Sequence, residues 1–216
     1  MKHITALVLS LLPAAYAAAH PHVFIDTGMS LHFDETGVLK QVEVTWVYDE
    51  FYSLLITEDM GLDQDFDGVL TPAETERLTG FDMQWIDGFN GDLEIYQNEE
   101  LLSLSGPRDY SATLAEGRIT TTHLRDVGAD QVIGTAIQLM PYDLTYYTAY
   151  DVTLPVVVKG KSDCARQIEL PDMTAGLMAV REELNALGTD QTPQEAGLPN
   201  IGRKLATRVI VTCPAS

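Results

Sequence analysis

The feature that most constrains this chain is the acidic stretch at residues 63–74, which reads Asp-Gln-Asp-Phe-Asp-Gly-Val-Leu-Thr-Pro-Ala-Glu. A calcium-binding loop of the EF-hand type takes oxygen ligands at positions 1, 3, 5, 7, 9 and 12 and a glycine at position 6. Gly68 occupies the glycine position, and a suitable residue stands at every ligand position. The predicted Ca²⁺ ligands are Asp63, Asp65, Asp67, the carbonyl of Val69, Thr71 and Glu74. A solvated acidic turn is the alternative, but neighbouring aspartates repel one another unless a cation lies between them.

The segments on either side of this loop read as helices. Residues 49–61 have the apolar spacing of a short helix. Its predicted apolar stripe consists of Phe51, Leu54, Leu55 and Met60. Thr71 is a suitable N-cap, with proline in the first turn and glutamate three residues later, so a second helix is predicted to run to about Asp87. We therefore predict an EF-hand-like helix–loop–helix over about residues 49–88. Because only one such loop is present, we expect a structural rather than a sensory calcium site.

The N-terminal residues are typical of an exported protein. A lysine precedes an apolar run from Ile4 to Ala19, which is too short to span a membrane and ends in small residues, as a secretory signal peptide does. Cleavage after Ala17 and cleavage after Ala19 both fit the pattern. We predict a signal peptide at residues 1–19 and a single periplasmic domain at residues 20–216, with no membrane span after the signal is removed.

The charge of the chain limits its partners. It carries 32 acidic and 13 basic side chains, a formal net charge of −19. Such an acidic protein does not bind nucleic acid through phosphate contacts. No nucleophile–base pair, phosphate-binding loop or organic-cofactor motif is recognisable, so a hydrolase has no support and we predict a protein without enzymatic activity.

The two cysteines, Cys164 and Cys213, form an isolated pair in a protein that we expect in an oxidising compartment. Such a pair is most simply a disulfide, which would connect the C-terminal strand to the region before Ile168. Two thiolates on a soft metal ion are the alternative, although the spacing is not that of a zinc knuckle.

Most of the remaining chain alternates between apolar and polar residues, as strands do. Strands are predicted at residues 22–33, 42–48, 92–97, 109–115, 118–124, 131–139, 145–158 and 207–212. A helix is predicted at 172–187 and a surface loop at 188–200. The predicted fold class is mainly β with helical insertions (α+β), an antiparallel β-sandwich-like domain that carries one EF-hand-like helix–loop–helix.

The histidines suggest a second metal site. His20 and His22 lie on one face of an extended segment, with Asp26 further along that face, and a neighbouring strand can bring His123 beside them. Converging imidazoles suit Zn²⁺, Ni²⁺, Co²⁺ or Cu²⁺, with Asp26 as an oxygen ligand or as the hydrogen-bond partner of an imidazole. The alternative is that the N-terminal histidines are merely exposed and that His123 is a polar residue with its hydrogen bonds satisfied.

Several segments together resemble one bacterial family. They are His20-Pro-His-Val-Phe-Ile-Asp26, Trp46-Val-Tyr-Asp-Glu-Phe-Tyr-Ser53, the acidic loop that ends at Glu74, Tyr142-Asp-Leu-Thr-Tyr-Tyr147, Cys164 and Val211-Thr-Cys-Pro214. In order and spacing they resemble the periplasmic domain-of-unknown-function family 1007, often labelled the periplasmic component of an uncharacterised ABC-type transport system. The resemblance implies a periplasmic protein, often encoded near nickel- or cobalt-type permeases, with a role in transition-metal handling. After His123 the sequence is polar where the family pattern implies an apolar strand.

Three functions therefore stand as hypotheses. The first, which we favour, is an exported metal-binding protein of a transition-metal transport or homeostasis system, with a structural calcium site and an inner-membrane metal permease as its partner. The second is a copper enzyme in which the free amine and imidazole of His20 and a second imidazole, from His123, hold the metal, although Pro21 restricts this arrangement. The third is a calcium-stabilised protein-interaction module.

Overall fold

The computed structural model describes residues 21–128, 136–185 and 200–214. The expected signal peptide, His20, the first part of the strand expected at 131–139 and most of the loop expected at 188–200 lie outside these residues. The elements in chain order are β1 (Val23–Phe33), β2 (Leu39–Tyr48), α1 (Glu50–Asp59), α2 (Pro72–Leu78), β3 (Leu93–Gln97), β4 (Glu100–Leu101), β5 (Arg108–Ala115), β6 (Arg118–Asp126), β7 (Ile137–Pro141), β8 (Thr148–Asp151), β9 (Val156–Lys159), β10 (Ala165–Glu169), α3 (Met173–Asn185), α4 (Ile201–Lys204) and β11 (Arg208–Thr212). Of the helices in these ranges, none is long and apolar enough to cross a membrane.

The strands form two sheets, so the prediction of a mainly β fold with a few helices is confirmed. The first sheet has the order β5-β6-β2-β1-β8, with β9 also paired to β1, and the second has the order β10-β11-β7-β3-β4. Alternate residues of the strands point inward, as the sequence periodicity indicates. One hydrophobic core contains inward side chains from both sheets, among them Ile25, Val44, Ile95, Leu139 and Val209.

The strand β1 differs from the expected antiparallel arrangement, because two of its neighbours run parallel to it. It pairs antiparallel with β2, but Val23–Asp26 pair in parallel with β8 and Met29–His32 pair in parallel with β9. The single strand expected at 145–158 is therefore two strands, and the chain crosses between them beside Gly28. A Cβ atom on Gly28 would lie 2.9 Å from the Cβ of Leu154, so this close approach requires glycine.

The expected apolar stripe of α1 does not face the core. Three of its four side chains are exposed, namely Phe51, Leu54 and Leu55. The buried residues of this helix are Ser53 and Thr57. The Ser53 hydroxyl accepts a hydrogen bond from the backbone N–H of Ile119 at 2.9 Å. The prediction of the stripe is wrong because α1 approaches β6 closely, and a small hydroxyl side chain both fits there and satisfies a backbone donor of the strand.

The second helix, α2, is shorter than expected. It begins at Pro72 after the N-cap Thr71 and ends at Leu78, rather than at about Asp87. Gly80 then takes a φ of +82°, in the left-handed region that commonly follows a helix and that favours glycine. The chain beyond Gly80 consequently turns back towards the first sheet, where Asp82 forms hydrogen bonds with side chains of β2 and β6.

The predicted disulfide between Cys164 and Cys213 is confirmed. It lies just outside the last paired residues of β10 and β11, because Ala165 pairs with Thr212. The sequence periodicity did not predict β10, whose side chains are mostly exposed. The bridge spans 49 residues and holds the C-terminal strand against this outer strand of the second sheet.

Candidate functional site

The acidic loop between α1 and α2 brings its first three predicted ligands together. One carboxylate oxygen from each of Asp63, Asp65 and Asp67 lies within 4.8 Å of the others. Two oxygens on opposite sides of a calcium ion are about this far apart, since each Ca–O distance is roughly 2.4 Å. Among the described residues this is the only such cluster of three or more His, Cys, Asp or Glu side chains. Its all-oxygen chemistry favours a hard cation.

The backbone of the loop orients these carboxylates. The Asp63 carboxylate accepts hydrogen bonds from the backbone N–H groups of Asp67 at 3.1 Å and of Gly68 at 3.2 Å. The Asp67 carboxylate in turn accepts from the backbone N–H of Val69 at 2.8 Å. Gly68 has a φ of +76°, which a residue with a Cβ atom resists. The sharp turn that the sequence predicts at the sixth position of the loop is therefore present.

The last predicted ligands lie at the start of α2, close to the first. Thr71 and Glu74 form a capping box, in which the Thr71 hydroxyl accepts from the backbone N–H of Glu74 and a Glu74 oxygen accepts from the backbone N–H of Thr71 at 2.9 Å. The other Glu74 oxygen accepts from the backbone N–H of Asp63 at 3.0 Å. These hydrogen bonds lower the pKa of Glu74 below its usual value, and those from Thr71 make the largest contribution. Position 12 of the loop is thus an anionic carboxylate next to position 1.

The expected transition-metal residues are not brought together in the described part of the chain. His20 lies outside it, and His22 is exposed just before β1. Asp26 does lie on the outward face of β1, but its carboxylate forms an ion pair with Arg118 at 2.7 Å and accepts a hydrogen bond from the Thr153 hydroxyl at 2.5 Å. The hydrogen bond from Thr153, followed by the hydrogen bond and the charge of Arg118, lowers the pKa of Asp26. This carboxylate is therefore held in an ion pair on the outer face of the first sheet.

His123 lies on the opposite, inward face of that sheet. Val44 of β2 pairs with both Met29 and His123, so His123 is level with Met29. Met29 is seven residues from His22, a distance of roughly 23 Å along an extended strand. The side chain of His123 is only 1% exposed. The sheet thus separates His123 from His22 and Asp26, which disfavours both a shared transition-metal site and a copper site at the N-terminus that includes His123.

Two tryptophans enclose the His123 ring. The centroid of the His123 ring lies 4.7 Å from the centroid of Trp46 and 5.5 Å from that of Trp85. Neither imidazole nitrogen has a hydrogen-bond partner among the described residues. Burial, and to a smaller degree the charge of Arg125, lowers the pKa of His123 from 6.5 to about 3. His123 is therefore a neutral, buried imidazole at physiological pH.

An aromatic cleft with a volume of about 310 Å³ lies beside these tryptophans. Its walls come from β1, β2, α1, β8 and the segment between α2 and β3. The aromatic side chains that line it include Trp46, Tyr48, Tyr52, Trp85, Phe89 and Tyr150. Stacked and edge-to-face contacts fix several of these rings, with centroid distances of 5.3 Å for Tyr48–Tyr52 and for Trp85–Phe89. A preformed aromatic cleft of this size is typical of a site for a small molecule.

Two partly buried carboxylates lie against the lining of the cleft. One oxygen of Asp82 accepts hydrogen bonds from the hydroxyls of Tyr48 and Thr121, both at 2.8 Å, while its other oxygen has no partner among the described residues. Asp92 accepts a hydrogen bond from the Tyr150 hydroxyl at 2.7 Å. Burial raises the pKa of Asp82 above its usual value and that of Asp92 to about 7. Ionising either group in the folded protein therefore costs free energy.

Sequence reasoning missed this cleft because five separate segments line it. The segment from 81 to 87 was expected to continue the second helix, and Trp46 and Tyr48 were expected only as strand residues. The one signal in the sequence is the presence of both tryptophans of the chain in segments rich in tyrosine, phenylalanine and aspartate. That signal becomes informative only when the pairing of the strands is known.

Comparisons with known proteins place the chain in a family but do not assign it an activity. Among the curated proteins, no match is found. A family model described as a protein of unknown function (DUF1007) matches residues 5–213, nearly the whole chain. The match covers the acidic loop, the aromatic cleft and both cysteines of the disulfide. The chain therefore belongs to the DUF1007 family of proteins of unknown function.

Proposed function

We propose that this chain is an exported calcium-binding protein, and that the acidic loop with its two flanking helices is an EF-hand-like unit that holds one structural Ca²⁺. The observation that supports this proposal is the convergence of the Asp63, Asp65 and Asp67 carboxylates within 4.8 Å. Glu74 lies beside Asp63, and the Val69 carbonyl and Thr71 follow in the same loop, which provides the six or more oxygen ligands that calcium requires. A divalent cation also offsets the repulsion between these carboxylates.

The bound ion would stabilise the packing of both helices on the first sheet. α1 contacts β6 through the hydrogen bond between Ser53 and Ile119, and α2 buries Leu78 completely. Because the acidic loop joins the two helices, an ion that fixes the loop also fixes their relative orientation. An ion that binds only the folded protein raises the free energy of unfolding by mass action, by about 2.7 kcal/mol when its concentration is 100 times its Kd.

Thermal melts in calcium and in a chelator test this proposal. Wild-type protein is expected to melt at a higher temperature in calcium. The Glu74→Gln variant, which lacks the ligand at position 12, is expected to lose most of the calcium-dependent shift. Glu76→Gln changes an exposed carboxylate of the same helix and serves as the matched control that keeps the shift. Identical wild-type melting temperatures in calcium and in chelator would contradict the proposal.

We propose further that the protein acts in a transition-metal transport or homeostasis system, with a metal permease of the inner membrane as its partner. Support comes from the His20-Pro21-His22 segment, whose second imidazole is exposed at the start of β1 with its ring 4.9 Å from that of Tyr147. In this proposal His20 and His22 bind Zn²⁺, Ni²⁺, Co²⁺ or Cu²⁺. His123 takes no part, because it lies on the other face of the first sheet.

Titration of mature protein, purified without a tag, with each of these metals in excess calcium tests the second proposal. An imidazole binds metal only when it is neutral, so the affinity is expected to fall as the pH drops below about 6.5. His22→Ala is expected to weaken binding, whereas His123→Phe is expected to leave it unchanged. The proposal is wrong if His22→Ala binds every metal as tightly as wild type does.

A further inference from the structure

Asp82 is a partly buried residue whose carboxylate accepts hydrogen bonds only from uncharged groups and has one fully buried oxygen. Within the described residues, the hydroxyls of Tyr48 and Thr121 donate to one of its oxygens, and the other oxygen has no partner. A carboxylate removed from water normally pairs with a cation, because the loss of hydration costs several kcal/mol. Burial raises the pKa of Asp82, which reflects this cost of removing the charge from water.

The basic side chains of β6, the strand that carries Thr121, have other partners. Arg125 donates to two backbone carbonyls at 2.7 and 2.8 Å, and its guanidinium lies 4.9 Å from the centre of the Trp85 ring. Arg118 forms its ion pair with Asp26 on the outer face of the sheet. The intervening His123 is neutral. The two arginines therefore have other partners, and His123 carries no charge, so none of these three groups compensates the charge of Asp82.

The walls beside Asp82 are of the kind that attracts a positive charge. The faces of tryptophan and tyrosine rings attract a cation within about 6 Å of the ring centre, by roughly 0.5 to 2 kcal/mol each. Trp46 and Tyr150 line the same cleft as Asp82, with their ring centroids 5.6 Å apart, and Trp85 lies in the same lining. The net charge of −19 adds a long-range attraction for cations.

We propose that the cleft binds a small organic cation of the alkylammonium class, with its alkyl groups against the aromatic rings and its charge compensated by Asp82. A volume of about 310 Å³ is sufficient for a molecule of this kind. Calcium is not the expected occupant, since it requires six or more oxygen ligands and the lining is mainly aromatic. The site is separate from the acidic loop, so the proposal does not depend on calcium binding there.

Intrinsic fluorescence reports on this cleft specifically, because the chain has two tryptophans and both line it. Choline is the probe, and 3,3-dimethyl-1-butanol, which has the same shape without the charge, is the neutral control. Titration in excess calcium is expected to give a saturable change with choline and an affinity about tenfold lower for the neutral alcohol. Equal affinities for the two compounds, or no saturable response to choline, would overturn the proposal.

Phosphocholine separates a free cation from a lipid headgroup with the same ammonium group. Its phosphate is expected to weaken binding, because the cleft lies beside two partly buried carboxylates, Asp82 and Asp92. Tighter binding of phosphocholine than of choline would therefore also overturn the assignment.

Two variants test the role of the carboxylate and of the lining. Asp82→Asn keeps the shape and an acceptor for Tyr48 but removes the charge, and it is expected to weaken choline binding about tenfold. Asp87→Asn, an exposed position on the same segment, is the matched control and is expected to bind as wild type does. Tyr147→Ala removes a half-exposed ring of the lining and replaces Asp82→Asn if a thermal melt shows that variant to be unfolded. If Asp82→Asn, or Tyr147→Ala where it replaces that variant, is folded and binds choline as tightly as wild type does, the proposed site is refuted.

Discussion

The buried imidazole of His123 makes the stability of this protein sensitive to acid. Because its pKa is lowered to about 3 in the folded protein, the unfolded chain binds a proton between about pH 6.5 and pH 3 that the folded chain does not. The free energy of unfolding therefore falls as the pH drops below 6.5. Replacement of His123 by phenylalanine, which keeps an aromatic ring but does not titrate, is expected to remove this contribution.

The magnitude follows from the pKa and from 1.36 kcal/mol per pH unit. Between about pH 8 and pH 5, the unfolded imidazole gains its proton over about 1.5 units, so His123 is expected to cost wild type about 2 kcal/mol that the His123→Phe variant does not lose. The variant also removes two buried nitrogens that have no hydrogen-bond partner in the described structure, and each such group costs about 1–3 kcal/mol. This second gain is independent of pH, so the pH dependence isolates the titration.

Urea unfolding of wild type and His123→Phe at the two pH values, in constant excess calcium, measures the effect. His123→Gln is the control for packing, because it does not titrate but keeps polar atoms in the core. Neither variant is expected to show the pH-dependent loss of stability that His123 causes in wild type, although the two variants differ from each other in stability at pH 8. A difference between wild type and His123→Phe that is equal at both pH values would refute a buried neutral imidazole.

Two further predictions concern groups elsewhere in the fold. Reduction of Cys164–Cys213 is expected to lower the free energy of unfolding by about 4 kcal/mol, because the bridge closes a loop of about 50 residues, and alkylation of denatured but unreduced protein is expected to detect no free thiol. Asp92 has its pKa raised to about 7 by burial, so the folded state binds an extra proton and stability is lost as the pH rises towards 7. Asp92→Asn, whose amide oxygen still accepts from Tyr150, is expected to exceed wild type by about 4 kcal/mol at pH 8 in urea unfolding, since the shift of about 3 pH units costs 1.36 kcal/mol per unit. This advantage is expected to be lost near pH 4, and an advantage that does not change with pH would contradict the prediction.

The elements of this fold that the sequence predicts are those that depend on neighbours in the chain. The alternation in β1 and β2 and the Thr71 N-cap of α2 all arise from local periodicity or local hydrogen bonds. The parallel pairing of β1 with β8 and β9 does not, because it joins segments more than 120 residues apart. The need for glycine at position 28 can be explained only when the crossover beside Leu154 is known.

The candidate sites follow the same division. The acidic loop can be recognised in the sequence because its predicted calcium ligands lie within twelve consecutive residues, whereas the aromatic cleft is built from distant segments. His123 was expected beside His22 and Asp26 because a neighbouring strand can bring its side chain next to their face. In the structure the buried positions of this strand include Thr121, His123 and Arg125. The aromatic rings around His123 and the backbone carbonyls around Arg125 allow these polar side chains to be buried. Neither feature can be read from the sequence of β6.

The helix α1 buries small hydroxyl side chains and exposes the apolar stripe, and this arrangement gives a sharp test of how the helix packs. Ser53 is fully buried and its hydroxyl accepts the backbone N–H of Ile119, so Ser53→Ala leaves a buried donor unsatisfied, at a cost of about 1–3 kcal/mol. The higher helix propensity of alanine offsets only about 0.5 kcal/mol of that cost. Phe51 is 66% exposed, so Phe51→Ala is expected to cost less than about 1 kcal/mol despite the much larger loss of apolar surface. Urea unfolding of the two variants compares them directly. A larger loss for Phe51→Ala than for Ser53→Ala would mean that the apolar stripe faces the core after all, as the helical periodicity of the sequence suggests.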